Sequence, residues 1–172
     1  MQNIMSILHE FKTKDGRTVT VNRFQAKAAT ELTQQAINAG QKSGLKLISH
    51  MAASLTHIDG RQASMAEFRA LPMKDGLSIV EKLNVGLKDI AVDKDGVTTA
   101  NLPSGKTLSV KPSDYGTLLD AEDLHGEEMR FFSMIEMLCT IDGKSVDFVD
   151  AQLMDGLDYL AIQAYLNESN PS

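Results

Sequence analysis

Several groups of residues have the types and spacing that chemistry requires, and each must be weighed against a plain structural interpretation. Ser104-Gly105-Lys106-Thr107 matches the end of a phosphate-binding loop, in which backbone amides and a lysine hold phosphate oxygens. That loop requires glycine where Ala100 stands, and it opens a helix, whereas a strand pattern follows Thr107. The sequence therefore predicts a hairpin turn at this position rather than a nucleotide site.

The histidines and the single cysteine offer little for a metal site or a nucleophile. His50 and His57 are seven positions apart, so on a helix they share a face but lie about 10 Å apart along the axis, too far to bind one metal ion together. His9 and His125 are interpreted as solvated surface residues. Cys139 lies in an apolar helical pattern, where a lone thiol behaves as a small hydrophobe and no disulfide or multi-cysteine zinc site can form. We expect no metal, no cofactor and no catalytic residue.

Two carboxylate patterns remain. Asp59-Gly60 and Asp142-Gly143 are either a repeated active-site loop or, as we favour, helix ends at which glycine adopts the left-handed conformation. A second pattern is an acidic cluster, which either binds a basic partner or, as we favour, forms a solvated helix face. No paired acid and base stands out, so the sequence predicts a protein that is not an enzyme. The members of the acidic cluster are Asp120, Glu122, Asp123, Glu127 and Glu128.

The elements that must position these residues follow a repeat, which indicates that one unit was duplicated and then shortened in its loops. The strongest match joins the two segments that begin Gly-Arg/Lys-Thr. Three landmarks recur in the same order: Gly16 to Val21 with Gly105 to Val110, Ile58-Asp59-Gly60 with Ile141-Asp142-Gly143, and Asp75-Gly76-Leu77 with Asp155-Gly156-Leu157.

Hydrophobic periodicity predicts a β-hairpin followed by helices in each unit. Ser64-Met65-Ala66-Glu67 has the form of a capping box at a helix start. The polar segment Gly86–Gly96 is the best boundary, which gives units 1–90 and 91–172. The fold class is therefore α+β, mostly helical, with two tandem β-hairpin-plus-helices units related by internal duplication. The predicted strands are 7–12, 18–21, 97–102 and 107–110, and the predicted helices are 24–38, 45 to about 57, 64–71, 75–84, 114–123, 127–141 and 150–166, the last with Asp150 as its N-cap.

Composition narrows the range of partners. The 172 residues carry a net charge of −6 and are 42% hydrophobic, which is typical of a globular protein and opposes binding to nucleic acid or to an anionic membrane surface. No stretch approaches 18 apolar residues, and the first residues lack the basic and apolar regions of a signal peptide. We expect a cytosolic protein that does not enter a membrane.

The second unit is rich in methionine and phenylalanine, and none of the motifs above accounts for these apolar side chains. Flexible thioethers and aromatic rings suit a surface that accepts varied apolar partners, so we expect a groove for a partner helix there. Core packing is the competing interpretation, since this helix needs an interior face in any case. The predicted partner-binding residues are Met129, Phe131, Phe132, Met134 and Met137.

The order of motifs in the second unit resembles a known family. Residues 102–113 (LPSGKTLSVKPS) precede 118–122 (LLDAE), the apolar helix ending at 141–143, and then Leu153, Asp155 and Leu160. This order resembles the small tail assembly chaperones of Mu-like contractile-tailed bacteriophages. The first unit follows the same plan without the Leu-Pro-Ser-Gly turn, and two fused copies depart from that family's usual single short unit.

As the resemblance implies, such chaperones keep the apolar helical tape-measure protein in solution while tail tube subunits polymerise around it. It therefore implies a non-enzymatic tail or baseplate assembly protein in the host cytoplasm, with the tape measure, tail tube or baseplate hub as partner. Hub and hub-assembly proteins of T-even-type phages are broadly similar in outline, so a permanent structural subunit of the baseplate hub, present in the virion, is the second hypothesis. A small hydrolase or nucleotide-binding enzyme ranks third, and self-association of the chain is left open.

Overall fold

The computed structural model of the protein describes residues 6–41 and 44–168. The chain forms two compact units, Met1–Val85 and Gly86–Ser172. Residue 90, the predicted boundary, lies inside a strand, Lys88–Val92. The segment from Gly86 to Gly96 is therefore not a linker but the first strand and turn of the second unit. The segment Gly86–Gly96 is mostly polar, so the sequence did not indicate a strand there. All five residues of the strand are exposed.

The first unit combines an antiparallel sheet with two groups of helices. Its strands follow the order β1-β2-β3-β4 across the sheet, and each neighbouring pair is antiparallel. The capping box at Ser64 is confirmed, since its hydroxyl accepts the Glu67 amide and the Glu67 carboxylate accepts the Ser64 amide, both at 3.1 Å. The elements are β1 (Ile7–Lys12), β2 (Thr18–Asn22), α1 (Ala26–Asn38), α2 (Gly44–Leu55), β3 (Thr56–Ile58), β4 (Arg61–Gln62), α3 (Met65–Arg69) and α4 (Met73–Leu83).

The second unit repeats this arrangement with one additional strand. Its antiparallel sheet has the order β5-β6-β7-β8-β9, so the additional strand, β5, lies at one edge. A short 3-10 helix, Glu127–Met129, leads into its central helix. The elements are β5 (Lys88–Val92), β6 (Thr98–Asn101), β7 (Thr107–Val110), α5 (Tyr115–His125), α6 (Arg130–Leu138), β8 (Cys139–Ile141), β9 (Lys144–Ser145), α7 (Phe148–Leu153) and α8 (Gly156–Glu168).

The predicted α+β class is confirmed, but each sheet is larger than a hairpin. The helix predicted to run through Ile141 ends at Leu138, and the next three residues form β8 beside β7. The same error occurs in the first unit, where β3 follows α2 without a loop. A three-residue strand is too short to show alternation, and its apolar residues extend the pattern of the preceding helix.

The single helix predicted from Asp150 to Leu166 is two helices, and Asp150 is not its N-cap. Asp147 caps α7, because its carboxylate accepts the amide of Asp150 at 2.7 Å. Met154 then adopts an extended conformation. Asp155 accepts the amide of Leu157 at 2.9 Å and thereby starts α8. The apolar spacing runs on through the break, which is why periodicity alone joined the two helices.

The two units share one plan, because equivalent residues keep a constant spacing over two long stretches. From the first hairpin turn to the cap of the first helix, residue numbers in the second unit are 89 higher; from β3 onward they are 83 higher. The residues lost between the units therefore lie in the first helical pair. The equivalent pairs include Gly16 and Gly105, Val19 and Leu108, Gln25 and Asp114, Ile58 and Ile141, Ser64 and Asp147, Ile79 and Ile162, and Leu83 and Leu166.

The third landmark of the sequence repeat is wrong. Pro72 precedes α4 as its N-cap, and Asp155 occupies the same place before α8. With the spacing of 83, Asp75 corresponds to Asp158 and not to Asp155. The shared Asp-Gly-Leu at residues 75–77 is therefore a coincidence of letters, whereas the first two landmarks mark equivalent structure.

Candidate functional site

The two Asp-Gly pairs are hairpin turns and not the helix ends that we expected. Asp59 has φ 51° and Gly60 φ 80°, the positive values that a type I′ turn between β3 and β4 requires. The Asp59 carboxylate accepts the amide of Thr18 at 2.9 Å. In the second unit, Asp142 repeats this contact with the amide of Thr107, also at 2.9 Å. Both carboxylates therefore tie the turn to the neighbouring strand.

The residues that resembled a phosphate-binding loop form the predicted turn between β6 and β7. The Ser104 amide and hydroxyl donate hydrogen bonds to the two carboxylate oxygens of Asp158, at 2.9 and 2.6 Å. Burial raises the pKa of Asp158, while the hydrogen bonds from Ser104 act in the opposite direction. The turn is thus bound to the first turn of α8, and a carboxylate occupies the place that a phosphate would need.

Of the two histidines that we expected to be solvated, His125 is exposed and His9 is half-buried. His9 lies half-buried with its Nε2 3.3 Å from the hydroxyl of Ser78, and burial, with the charge of Lys82 second, lowers its pKa. His125 is the last residue of α5, and its ring stacks on Phe148 with centroids 3.6 Å apart. These rings join strands and helices within their own units.

The thiol and the potential metal ligands offer no reactive centre in the described part of the chain. Cys139 is buried, and burial raises the pKa of its thiol to about 12, so at neutral pH it is not a thiolate. Among residues 6–41 and 44–168, histidine, cysteine and carboxylate side chains form no group that could hold a metal ion. The Nδ1 atom of His57 instead lies 3.3 Å from the side-chain amide nitrogen of Asn22.

The acidic cluster is divided between the surface and an ion pair. Glu122 accepts a hydrogen bond from Arg130 at 2.5 Å, which links α5 to α6. The other members, Asp120, Asp123, Glu127 and Glu128, are exposed. An exposed acidic face of this kind is consistent with solvation, as the sequence analysis favoured.

The predicted partner-binding residues lie on the central helix of the second unit, α6, and the 3-10 turn before it. Phe132 is 2% exposed, with its ring stacked on Tyr159 at a centroid distance of 4.9 Å. Met134 is also buried. These two side chains belong to the core of the unit and offer no surface to a partner in this conformation.

The remaining three predicted residues are half-buried rather than free. Met129 and Met137 lie partly covered at the rim of α6. Phe131 carries the guanidinium of Arg130 over its ring at 5.6 Å. Every position of α6 is therefore buried or half-buried, including the charged residues Arg130 and Glu136.

Exposed apolar side chains occur instead on the neighbouring helices α5 and α7. Val149 and Leu153 are 58% and 52% exposed, and they lie one turn apart on α7, opposite the buried Ala151. Leu124, near the end of α5, is exposed to a similar extent. We call Leu124, Val149 and Leu153 the α5–α7 patch.

The stacked rings of His125 and Phe148 join the two helices that carry this patch. Their contact brings the end of α5 against the start of α7, and Leu124 and Val149 are the chain neighbours of the two rings. Glu136 supports the junction, because its carboxylate accepts the Phe148 amide at 2.7 Å and lies 3.7 Å from His125. Three helices therefore hold the patch in place.

Sequence reasoning missed this patch because it joined α7 and α8 into one helix. In that helix Leu153 shared the apolar face with residues that are buried, and Val149 lay before its start. A signal was present in Asp147, since an Asp three residues before Asp150 and directly before an apolar pair is a helix cap.

No protein-family model, curated protein or solved structure matches the chain. Within the described residues, every helix is too short or too polar to cross a lipid bilayer.

Proposed function

We propose that the chain is a non-enzymatic assembly protein of a bacteriophage tail or baseplate, which acts in the host cytoplasm and binds apolar helical segments of the tape-measure protein. The observation that carries this proposal is the α5–α7 patch. A partner helix that presents apolar residues one turn apart is complementary to Val149 and Leu153, which have the same spacing.

The size of the effect supports a reversible, chaperone-like contact. The three side chains are already about half covered, so burying the rest contributes about 1 kcal/mol for each. A patch of three such residues therefore gives a modest affinity, which suits a protein that must release its client. The resemblance of residues 102–160 to the Mu-like tail assembly chaperones supports the same assignment.

Co-expression tests the proposal. The chain, carrying an affinity tag, is expressed together with the tape-measure protein of the same phage, and the retained protein is measured. We expect capture by the native chain and a loss of several-fold or more when Val149 and Leu153 are both changed to Ser. The matched control changes Ile90 and Val92 to Ser, an exposed apolar pair on β5. No capture by the native chain, or equal loss in both variants, would contradict the proposal.

A second candidate, a permanent structural subunit of the baseplate hub, is favoured by strand β5. This edge strand exposes all of its residues, among them Ile90 and Val92, and an exposed edge can pair with a strand of a neighbouring subunit. Mass spectrometry of purified virions separates the two candidates. The chain in stoichiometric amount supports the subunit, whereas its absence supports the assembly factor.

A further inference from the structure

A cationic groove lies between α2 and α3 of the first unit. It encloses a volume of about 360 Å³, within the range of small binding sites. Both of its ionisable side chains are positive, although the whole chain carries a net charge of −6. Its lining residues are Gln41, Leu45, Lys46, Ser49, Met65 and Arg69.

In the second unit, side chains fill the position that is equivalent to this groove. Helix α2 runs directly into β3, and α6 runs directly into β8, so the spacing of 83 extends back into these two helices. Ser49 then corresponds to Phe132, and Met65 to Phe148. Those two phenylalanine rings pack edge to face with centroids 6.4 Å apart, and Phe132 is almost completely buried. The first unit has a serine and a methionine where the second has two aromatic rings, and the space opens as the groove.

The charges of the groove are also confined to the first unit. Lys46 corresponds to Met129, and Arg69 to Gln152, so the second unit has neither cation. In the described residues no carboxylate lies within ion-pair distance of Lys46 or Arg69, whereas Arg61 pairs with Glu67 at 2.6 Å. Two cations beside the apolar side chains of Leu45 and Met65, with no acid to neutralise them, are complementary to a carboxylate attached to an apolar group.

We infer that this groove binds a peptide segment of a partner protein in which a bulky apolar side chain stands next to an acidic residue. The apolar side chain takes the space that Phe132 and Phe148 fill in the second unit, and Lys46 and Arg69 hold the carboxylate. A peptide is favoured over a small free acid because the groove opens beside Leu45, which is 60% exposed and offers contact to residues on either side. The groove is independent of the α5–α7 patch and of the function proposed for it.

Binding of synthetic peptides to the full chain tests this site. The probe is a short acetylated and amidated peptide with a central Asp-Phe-Asp, measured by fluorescence anisotropy. The comparison peptides carry Asp-Ala-Asp or Lys-Phe-Lys at the centre. We expect the Asp-Phe-Asp peptide to bind most tightly and its affinity to fall as salt is added, since exposed charges are screened. Equal binding of all three peptides, or no binding of any, would overturn the inference.

Variants of the groove locate the binding. Ser49→Phe introduces the residue that fills this place in the second unit. Lys46→Glu with Arg69→Glu reverses both charges of the groove. Each variant should lower the affinity for the Asp-Phe-Asp peptide by roughly tenfold or more. Lys27→Glu with Lys74→Glu makes the same change of net charge at exposed positions on α1 and α4 and should leave binding unchanged. Unchanged affinity in the groove variants, with their melting temperatures retained, would overturn the assignment.

Two further results separate this site from its alternatives. Phenylacetate, a free aromatic carboxylate, should compete only weakly; competition as strong as that of the peptide would make the groove a small-molecule site and overturn the peptide assignment. Val149→Ser with Leu153→Ser should leave peptide binding intact, so failure of the function proposed for the patch does not affect this result.

Discussion

The hydroxyl of Ser104 donates a hydrogen bond of 2.6 Å to Asp158, which joins the turn between β6 and β7 to the start of α8. Asp158 is only 3% exposed, so its carboxylate depends on this turn for partners. The equivalent positions in the first unit are Asp15 and Asp75, two acids that cannot form such a bond. The contact therefore belongs to the second unit alone.

Ser104→Ala should destabilise the protein by about 1–3 kcal/mol, because a buried carboxylate loses one of its hydrogen bonds. Urea unfolding followed by circular dichroism measures the change. The matched control is Ser113→Ala, an exposed serine after β7, which should change the stability by less than about 0.5 kcal/mol. Equal effects of the two substitutions would show that the bond to Asp158 contributes nothing.

Asp158→Asn should alter the dependence of stability on pH. Burial raises the folded-state pKa of Asp158 above its usual 3.8, so the folded chain holds this proton more tightly than the unfolded chain. The resulting stabilisation is complete below pH 3.8 and is lost as pH rises through the folded-state pKa. The stability of the native chain relative to the Asn variant should therefore fall as pH rises above 3.8 and through the folded-state pKa. A relative stability that rises over this range would refute the direction of the shift.

The two adjacent phenylalanines of α6 should differ sharply in their contribution to the stability of the chain. Phe132→Ala removes a buried ring that packs against Tyr159 and Phe148, and it should cost about 3–5 kcal/mol. Phe131→Ala removes a half-buried ring and a contact with Arg130, and about 1 kcal/mol is expected. Thermal unfolding of both variants measures this. Similar losses would mean that Phe131 belongs to the core as fully as its neighbour.

Two glycine-to-alanine substitutions should change the stability of the chain in opposite directions. Gly143→Ala places a side chain at φ 77° in the turn between β8 and β9, which should cost about 1 kcal/mol. Gly76→Ala lies inside helix α4 with open space around the added carbon, and it should stabilise the chain by about 0.5–1 kcal/mol. Differential scanning calorimetry of each variant measures the shift. A gain from Gly143→Ala would contradict the turn geometry.

The elements that the sequence predicted well were those with long periodic patterns and local chemistry. The helix start at Ser64 depends on contacts within four residues, and the hairpin turn at Gly105 depends on its own φ. Strand β5 was missed because all five of its residues are exposed and it lies in a segment rich in Lys, Asp and Gly, although Lys94-Asp95-Gly96 repeats the turn signal of the first hairpin. Strands β3 and β8 were missed because each has only three residues and pairs on one side with a strand far away in sequence, β2 or β7.

The candidate surfaces were harder to predict than the fold, for a physical reason. The type of an apolar residue on a helix does not indicate whether its side chain faces the core or the solvent. Only the packing of the folded chain shows that Phe132 is buried and Val149 is exposed. The cationic groove depends on the comparison of Ser49 with Phe132, which requires the true spacing between the units. That spacing changes inside the first helical pair, and the sequence alone gave no landmark there.

Hydrogen–deuterium exchange of the chain, with and without its co-expressed tape-measure partner, tests most directly whether the α5–α7 patch binds a helix of that partner, as we propose. We expect slower exchange in the complex at the amides of Phe148–Leu153 and at the end of α5, with strand β5 unchanged. A stable complex in which these amides exchange as fast as in the free chain would contradict it.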